Sequence, residues 1–454
     1  MNKLNASFRD PAGFIFTSSQ GEILRQINKI GAEEFDLMHD SGLYDSLVKK
    51  NFLIQHQEVE NVYADAYKTI KPERLPFISY PYEWSFGQLK DAALLTLYIQ
   101  KAALKKGMSL KDASAYNVQF VNGKPVFIDT LSFEVYEEGK PWVAYKQFCQ
   151  HFLAPIALAS MTDIRTLDLL SANIDGIPLD LASALLPRKS KFKFSLATHI
   201  HWHAKTQQKY AGKQTNQKAG KGVSKMAMLG LIDNLVNAVK SLKWNPKGTE
   251  WGEYYTFTNY SDSSFDEKKN LVAAFIDEAK PSTVWDLGAN DGTFSSIAAL
   301  KGIETVAFDI DPIAVEKNYR RVKQDNIPML PLQLDLTNPS TGIGWAHEER
   351  DSLEQRGKAD VVMALAIIHH IAISNNVPLE KVADYLSRLG NHIIIEFVPK
   401  EDSQVKILLA TREDIFLSYH IDGFEKAFTQ FFDIVKKEQV GDSLRTLYLL
   451  KAKR

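Results

Sequence analysis

Apolar residues in the C-terminal half of the chain fall into short runs, the first three of them closed by an acid or a glycine. The run at 283–287 leads through Asp286 and Leu287 to Gly288, Ala289, Asn290, Asp291 and Gly292, with helix-forming sequence beyond. Four further runs follow: Glu304–Phe308 closed by Asp309, Met329–Leu334 closed by Asp335, Ala359–Leu365, and His392–Phe397. Ala359–Leu365 is almost entirely apolar, as a parallel strand buried on both faces should be. Two last runs, Phe431–Val440 and Leu444–Lys451, flank Gly441-Asp442 and predict an antiparallel hairpin.

The first run carries chemistry. Glycine permits positive φ and close approach of a ligand, and the helix beyond it offers free N–H groups. A Gly-rich turn at the end of a first parallel strand is a nucleotide-type cradle. Asp309 stands 17 residues after Gly292, near the spacing at which an acid accepts two ribose hydroxyls.

The N-terminal half patterns differently. Gly13–Phe16 and Glu22–Asn28 predict a hairpin, residues 31–50 a helix, and Ser85–Lys106 a long, mostly buried helix. Asn122-Gly123 predicts a tight turn between two short strands. That turn gathers Asp112, Asn117 and Asp129 at one end of a hairpin. Such residues either cap a turn or, as hard oxygen donors, hold a metal.

Length and composition add bounds. A chain of 454 residues exceeds a single core, and 45% hydrophobic with 24% charged content is ordinary for a globular protein. A net charge of −1 gives no general pull toward nucleic acid or membrane. One cysteine, Cys149, excludes an internal disulfide and suits a reducing, cytoplasmic setting. No secretory signal is expected in the first 20 residues, and no apolar run reaches the ~20 residues of a membrane helix. Residues Leu181 to Ile232 contain no acid, yet hold Arg188 and nine lysines, among them Lys205, Lys209 and Lys213. A solvated linker is favoured over a nucleic-acid contact, because charge runs are usually solvated. His199, His201 and His203 alternate, so on a strand they would share one face. A polar face is favoured there over a zinc site, because no cysteine or acid completes the set.

The strand series with Asp286-Leu287-Gly288, Gly292, Asp309 and the final hairpin resembles the class I S-adenosylmethionine-dependent methyltransferases, over about residues 250–454. The resemblance implies a seven-stranded Rossmann-like α/β fold with S-adenosyl-L-methionine as cofactor. It implies Asp286, Gly288, Asn290, Gly292, Asp309, Asp335, Leu336 and Ala364 as the cofactor site. Asn290 departs from the glycine common in that family; asparagine tolerates the left-handed backbone required. Residues after the fourth strand usually face the transferable methyl in that family, so His369 or His370 is a candidate base, with Glu396 a second candidate. No Asn/Asp-Pro-Pro-Tyr/Phe motif follows the fourth strand, which argues against base N-methylation. No cysteine lies in this half, which excludes covalent C5-methylation.

The stretch from Leu110 to Asp129 resembles the catalytic loop and metal site of protein and small-molecule kinases. Asp112, Asn117 and Asp129 would then hold a nucleotide and its metal. Leu110 replaces the usual histidine, Thr130-Leu131 the usual Phe-Gly, and neither Arg25 nor Lys29 is a clear nucleotide lysine. Stretches at Phe8–Phe14, Ser41–Tyr44, Tyr82–Phe86 and Trp251–Tyr255 are similar to nodulation proteins of the Noe type.

The expected organisation is an α+β, kinase-like domain over 1–200, a basic linker and helix over 201–249, and a methyltransferase domain over 250–454. The expected activity is methyl transfer to a hydroxyl or amine of a small-molecule or saccharide-like substrate. The alternatives are an ATP-binding regulatory or bifunctional protein and an RNA-binding protein with a methyltransferase fold.

Overall fold

A computed structural model describes residues 2–203, 222–245, 262–410 and 412–453. The chain forms two compact units: Met1–Asn245 with Gly342–Arg350, and Pro246–Thr341 with Asp351–Arg454. Among the described residues no helix is long and apolar enough to cross a membrane.

The first unit opens with five antiparallel strands: β1 (Asn2–Lys3), β2 (Gly13–Thr17), β3 (Ile23–Asn28), β4 (His56–Val59) and β5 (Ala66–Pro72), in the order β1-β2-β3-β5-β4. The helix expected over 31–50 is two helices, α1 (Ala32–Asp40) and α2 (Leu43–Val48). Gly42, at φ 69°, breaks it, a conformation glycine adopts without steric cost. The long helix is α3 (Phe86–Lys105), started by a reciprocal capping box between Ser85 and Gln88. Short strands β6 (Met108–Leu110), β7 (Val118–Val121), β8 (Lys124–Phe127) and β9 (Phe133–Val135) follow, β6 pairing with β9 and β7 with β8. The three alternating histidines lie on a helical run that includes a π-helical turn over Ala197–Trp202, not on a strand. Helix α4 (Lys225–Ser241) packs on α3 within this unit.

Segment Gly342–Arg350 also belongs to this unit. Glu349 is buried, accepts the Trp345 amide at 2.7 Å and pairs with Arg9 at 2.6 Å. The Arg350 guanidinium lies 4.3 Å from the Tyr116 ring centroid. These anchors hold Ala346 and His347 at φ 53° and 62°, a backbone that costs about 1–2 kcal/mol per non-glycine residue.

The second unit begins its described part with α5 (Asp262–Ala279). Its sheet contains β10 (Thr283–Leu287), β11 (Glu304–Asp309), β12 (Met329–Gln333), β13 (Ala359–Ala364), β14 (Gly390–Phe397), β15 (Phe432–Gln439) and β16 (Thr446–Ala452). The order is β12-β11-β10-β13-β14-β16-β15, with β16 antiparallel to both neighbours. The chain winds outward from β10 to β12, then returns to β13 on the other side of β10. The C-terminal ends of β10 and β13 therefore flank the topological switch point. Val272, Phe275 and Ile276 of α5 pack against Val284, Val361, Met363 and Ile394. Each such buried side chain contributes about 1.5–3 kcal/mol. The helix α6 (Ser295–Ala299) follows the first turn, and α7 (Pro312–Asp325) follows β11. Asp311 caps α7, Pro312 occupies its first turn, and Asn326 closes it at φ 52°.

Candidate functional site

A cavity of about 450 Å³ opens beside the C-terminal ends of β10, β11 and β13. Gly288, Ala289 and Asn290 supply one wall, and Phe308, Asp309 and Ile310 the next. Leu334, Asp335, Leu336 and Thr337 supply the third, and Leu365, Ala366 and Ile367 the fourth. Each group comes from a strand end, so the sheet order alone brings them together.

The Gly-rich turn is held from both sides. Gly288 and Ala289 donate their amides to the Phe308 carbonyl, each at 2.8 Å. A Cβ on Gly288 would lie 2.3 Å from Ile367 Cγ2, so glycine lets β10 and the segment after β13 approach. Asn290 has φ 50° and donates its amide to Asp309 Oδ2 at 2.7 Å. Asp309 Oδ1 accepts the Asp311 amide at 2.8 Å. Burial raises the Asp309 carboxyl to about 6 despite these bonds. Burial also raises Asp286 to about 7, against the hydrogen bond that Ser295 Oγ donates at 2.6 Å. The other Asp286 oxygen, Oδ1, is buried with no hydrogen-bond partner among the described residues.

Six of the eight expected cofactor residues line the cavity: Asp286, Gly288, Asn290, Asp309, Asp335 and Leu336. Gly292 and Ala364 do not. A Cβ on Gly292 (φ 78°) would meet the Asn318 amide and Met329 Cε at 2.5–2.7 Å, so this glycine serves packing against α7 and β12. Ala364 is the buried last residue of β13, and the next three residues form the wall instead.

The two histidines separate. His370 lines the cavity; His369 points into the core, its two ring nitrogens buried without partners among the described residues. Their rings lie 4.0 Å apart. Burial lowers His370 to about 4 and pushes His369 well below its ordinary value, so neither has the near-neutral pKa of a free imidazole. Glu396 does not reach the cavity. It is fully buried and accepts a hydrogen bond from Lys268 at 2.6 Å. Lys268, Phe265 and Phe294 line the cavity and were not anticipated, because a lysine on an amphipathic helix reads as solvated.

The cavity fits S-adenosylmethionine. Asp309 would be the acid for the ribose diol, and Leu334–Leu336 the apolar-and-acid edge for adenine. Near the turn, Asp286 Oδ1 is the unsatisfied acceptor that a ligand ammonium would meet.

In the first unit Asp112, Asn117 and Asp129 do come together. Asn117 donates to Ser132 Oγ at 3.1 Å, and Ser132 donates to Asp129 Oδ2 at 2.6 Å. Asp112 is raised by burial, with Asp129 adding to the rise and hydrogen bonds from Ser114, Gln147 and Asn117 opposing it. Arg25 pairs with Asp129 and, at 3.1 Å, with Asp10. Burial works against ionised Asp129, yet Arg25, Ser132 and the Leu131 amide together hold its carboxyl below the usual range. His199 bonds Tyr145 and Asn234, and His201 bonds Ser183 and Ser190, so the helical run sends the histidines to separate partners. Among the described residues no group of three potential ligands gathers around a metal position. Residues 205–221 of the basic segment and Trp251–Tyr255 lie outside the described residues.

No protein-family model matches the chain. Among solved structures, the magnesium protoporphyrin IX methyltransferase of Synechocystis PCC 6803 matches 45% of this chain and 93% of its own, at 16% identity and TM-score 0.32. The N-methyltransferase NodS of Bradyrhizobium japonicum WM9 matches 43% of this chain and 99% of its own, at 12% identity and TM-score 0.29. The bifunctional kinase-methyltransferase WbdD matches 42% and 40%, at 18% identity and TM-score 0.29. In sequence, the nodulation protein NoeA of Rhizobium meliloti (strain 1021) is 37% identical over 457 residues, covering 98% of this chain and 95% of that protein. With that identity along its whole length, and a class I methyltransferase sheet in its second unit, the chain belongs to the family of nodulation protein NoeA.

Proposed function

We propose that this protein transfers a methyl group from S-adenosylmethionine to a hydroxyl or amine of a small-molecule or saccharide-like acceptor. The observation that carries the reading is the Asp309–Asn290–Gly288 cradle at the switch point of the second unit's sheet. Bound there, the cofactor would supply an electrophilic methyl on a sulfonium. The residues of the chain bind and orient it: Asp309 takes the ribose diol, Asp335 and Leu336 the adenine edge, and Asp286 the ammonium.

His370 is the cavity's candidate for the acceptor proton. With its pKa near 4 it is neutral above about pH 5, so it can accept a hydrogen bond and orient a nucleophile. Its low proton affinity favours orienting the nucleophile over removing a proton outright.

Calorimetric titration with S-adenosylhomocysteine tests the cofactor assignment. Micromolar binding is expected, and no binding at millimolar ligand would overturn it.

A second reading concerns the first unit, whose β1-β2-β3-β5-β4 sheet and clustered Asp112, Asn117 and Asp129 support a kinase-like ancestry. The Arg25–Asp129 ion pair puts a guanidinium where a metal would bind. That favours a scaffold over a phosphotransferase, and titration with ATP and magnesium distinguishes the two.

A further inference from the structure

Three carboxylates, Asp286, Asp309 and Asp335, face the cavity in the second unit. Among the described residues Lys268 is the one lysine or arginine in its wall. Lys268 stands on α5 with a side chain only 4% exposed. Its ammonium lies 2.6 Å from Glu396 Oε2 and 4.8 Å from the Phe294 ring centroid. Behind it, Glu396 lies 3.8 Å from the Arg445 guanidinium, which bonds Asp402 at 2.8 Å. Two cations and two carboxylates thus form a charge-balanced quartet, nearly all of it buried.

Stability is a weak explanation for this quartet. Taking paired charges out of water costs about as much as their attraction returns, and well-packed apolar residues of similar volume often serve as well or better. A ligand does account for it. The amino-acid end of S-adenosylmethionine carries a carboxylate beside its ammonium. In a wall of three acids that carboxylate meets repulsion unless a cation receives it, and a poorly solvated cation interacts more strongly than one in water.

We propose that Lys268 receives the cofactor's α-carboxylate, and that Glu396 is a positioning residue that fixes the lysine ammonium at the end of the cavity beside Asp286. The assignment rests on the cofactor reading above. It gives Glu396 a role in binding, in place of the catalytic one expected from sequence.

The test compares S-adenosylmethionine with decarboxylated S-adenosylmethionine, which differ only in the carboxylate, by calorimetry on the full chain. The wild type is expected to prefer the carboxylated ligand by at least about tenfold, the worth of one charge-assisted hydrogen bond. Lys268→Met is expected to erase that preference, leaving the decarboxylated ligand within threefold of its wild-type affinity. Equal losses for both ligands, or none, would overturn the assignment. Should Lys268→Met unfold because Glu396 loses its lysine partner, the double variant Lys268→Met/Glu396→Leu removes both charges and answers the same question. If the wild type binds both ligands alike, Lys268 is wrongly assigned while the cofactor reading stands. If it binds neither, the cofactor reading itself fails.

Discussion

Asn290 donates its backbone amide to Asp309 at 2.7 Å from a left-handed conformation, φ 50°. The residue that departs from the family's glycine thereby ties the turn after β10 to the acid that ends β11. Asparagine reaches that backbone state at lower cost than most side chains.

Asp309→Ala removes both the proposed ribose acceptor and the anchor of this turn. Charge-assisted hydrogen bonds are worth about 1.5–3 kcal/mol each, so S-adenosylhomocysteine affinity should fall at least about tenfold, read by calorimetry. Unchanged affinity would remove Asp309 from the site.

The buried acids set a pH dependence. Asp286 and Asp309 are raised to about 7 and about 6, above an unfolded value of about 3.9. The native state therefore binds more protons than the unfolded state between about pH 4 and 7. Ligand-free stability should fall as pH rises through that window. Asp286→Asn should raise the Tm at pH 8 and leave it nearly unchanged at pH 4. A variant less stable than wild type at pH 8 would contradict the sign.

The neighbouring histidines should respond differently. His370→Ala is expected to spare S-adenosylhomocysteine affinity within threefold and to lower turnover at least about tenfold, measured with labelled methyl donor. Among the described residues His369 has no hydrogen-bond partner for either ring nitrogen, so His369→Phe should fold with equal or greater stability and keep turnover. Loss of turnover in His369→Phe with intact folding would reverse the assignment.

In the first unit, Arg25→Met would leave Asp129 and Asp10 without their guanidinium. A cost of about 3–5 kcal/mol is expected when one partner of a buried pair is removed; the slight exposure of this cluster puts the value at the lower end. Because the Asp129 carboxyl is held low when folded, its contribution is present above its unfolded value and fades as pH falls. Denaturant unfolding of Asp129→Asn should therefore show a clear deficit at pH 7 and a smaller one near pH 3.

Most of the second unit was legible because its signals are local. The ends of β10, β11 and β12 each carry an acid or a glycine, and the order of the strands fixes the sheet and hence the cavity. What stayed hidden depended on tertiary neighbours. Gly292 matched a ligand motif, but Asn318 and Met329 claim the space beside it. Lys268 looked solvated until packing placed it against Glu396 and Phe294. His199, His201 and His203 matched a strand's period of two, yet their neighbours continue a helix. The anchoring of Gly342–Arg350 in the first unit needs Arg9 and Tyr116, more than 200 residues away in sequence.

That anchoring ties a short stretch of the second half of the chain into the first unit. The chain leaves the second unit after Thr341, supplies nine residues to the first, and returns at Asp351. A single cut near residue 250 would strand Glu349 and Arg350 on the wrong fragment, away from Arg9 and Tyr116. The N-terminal piece would then lack nine residues of its own unit, so a fragment meant to carry the first unit has to be expressed with residues 342–350 supplied.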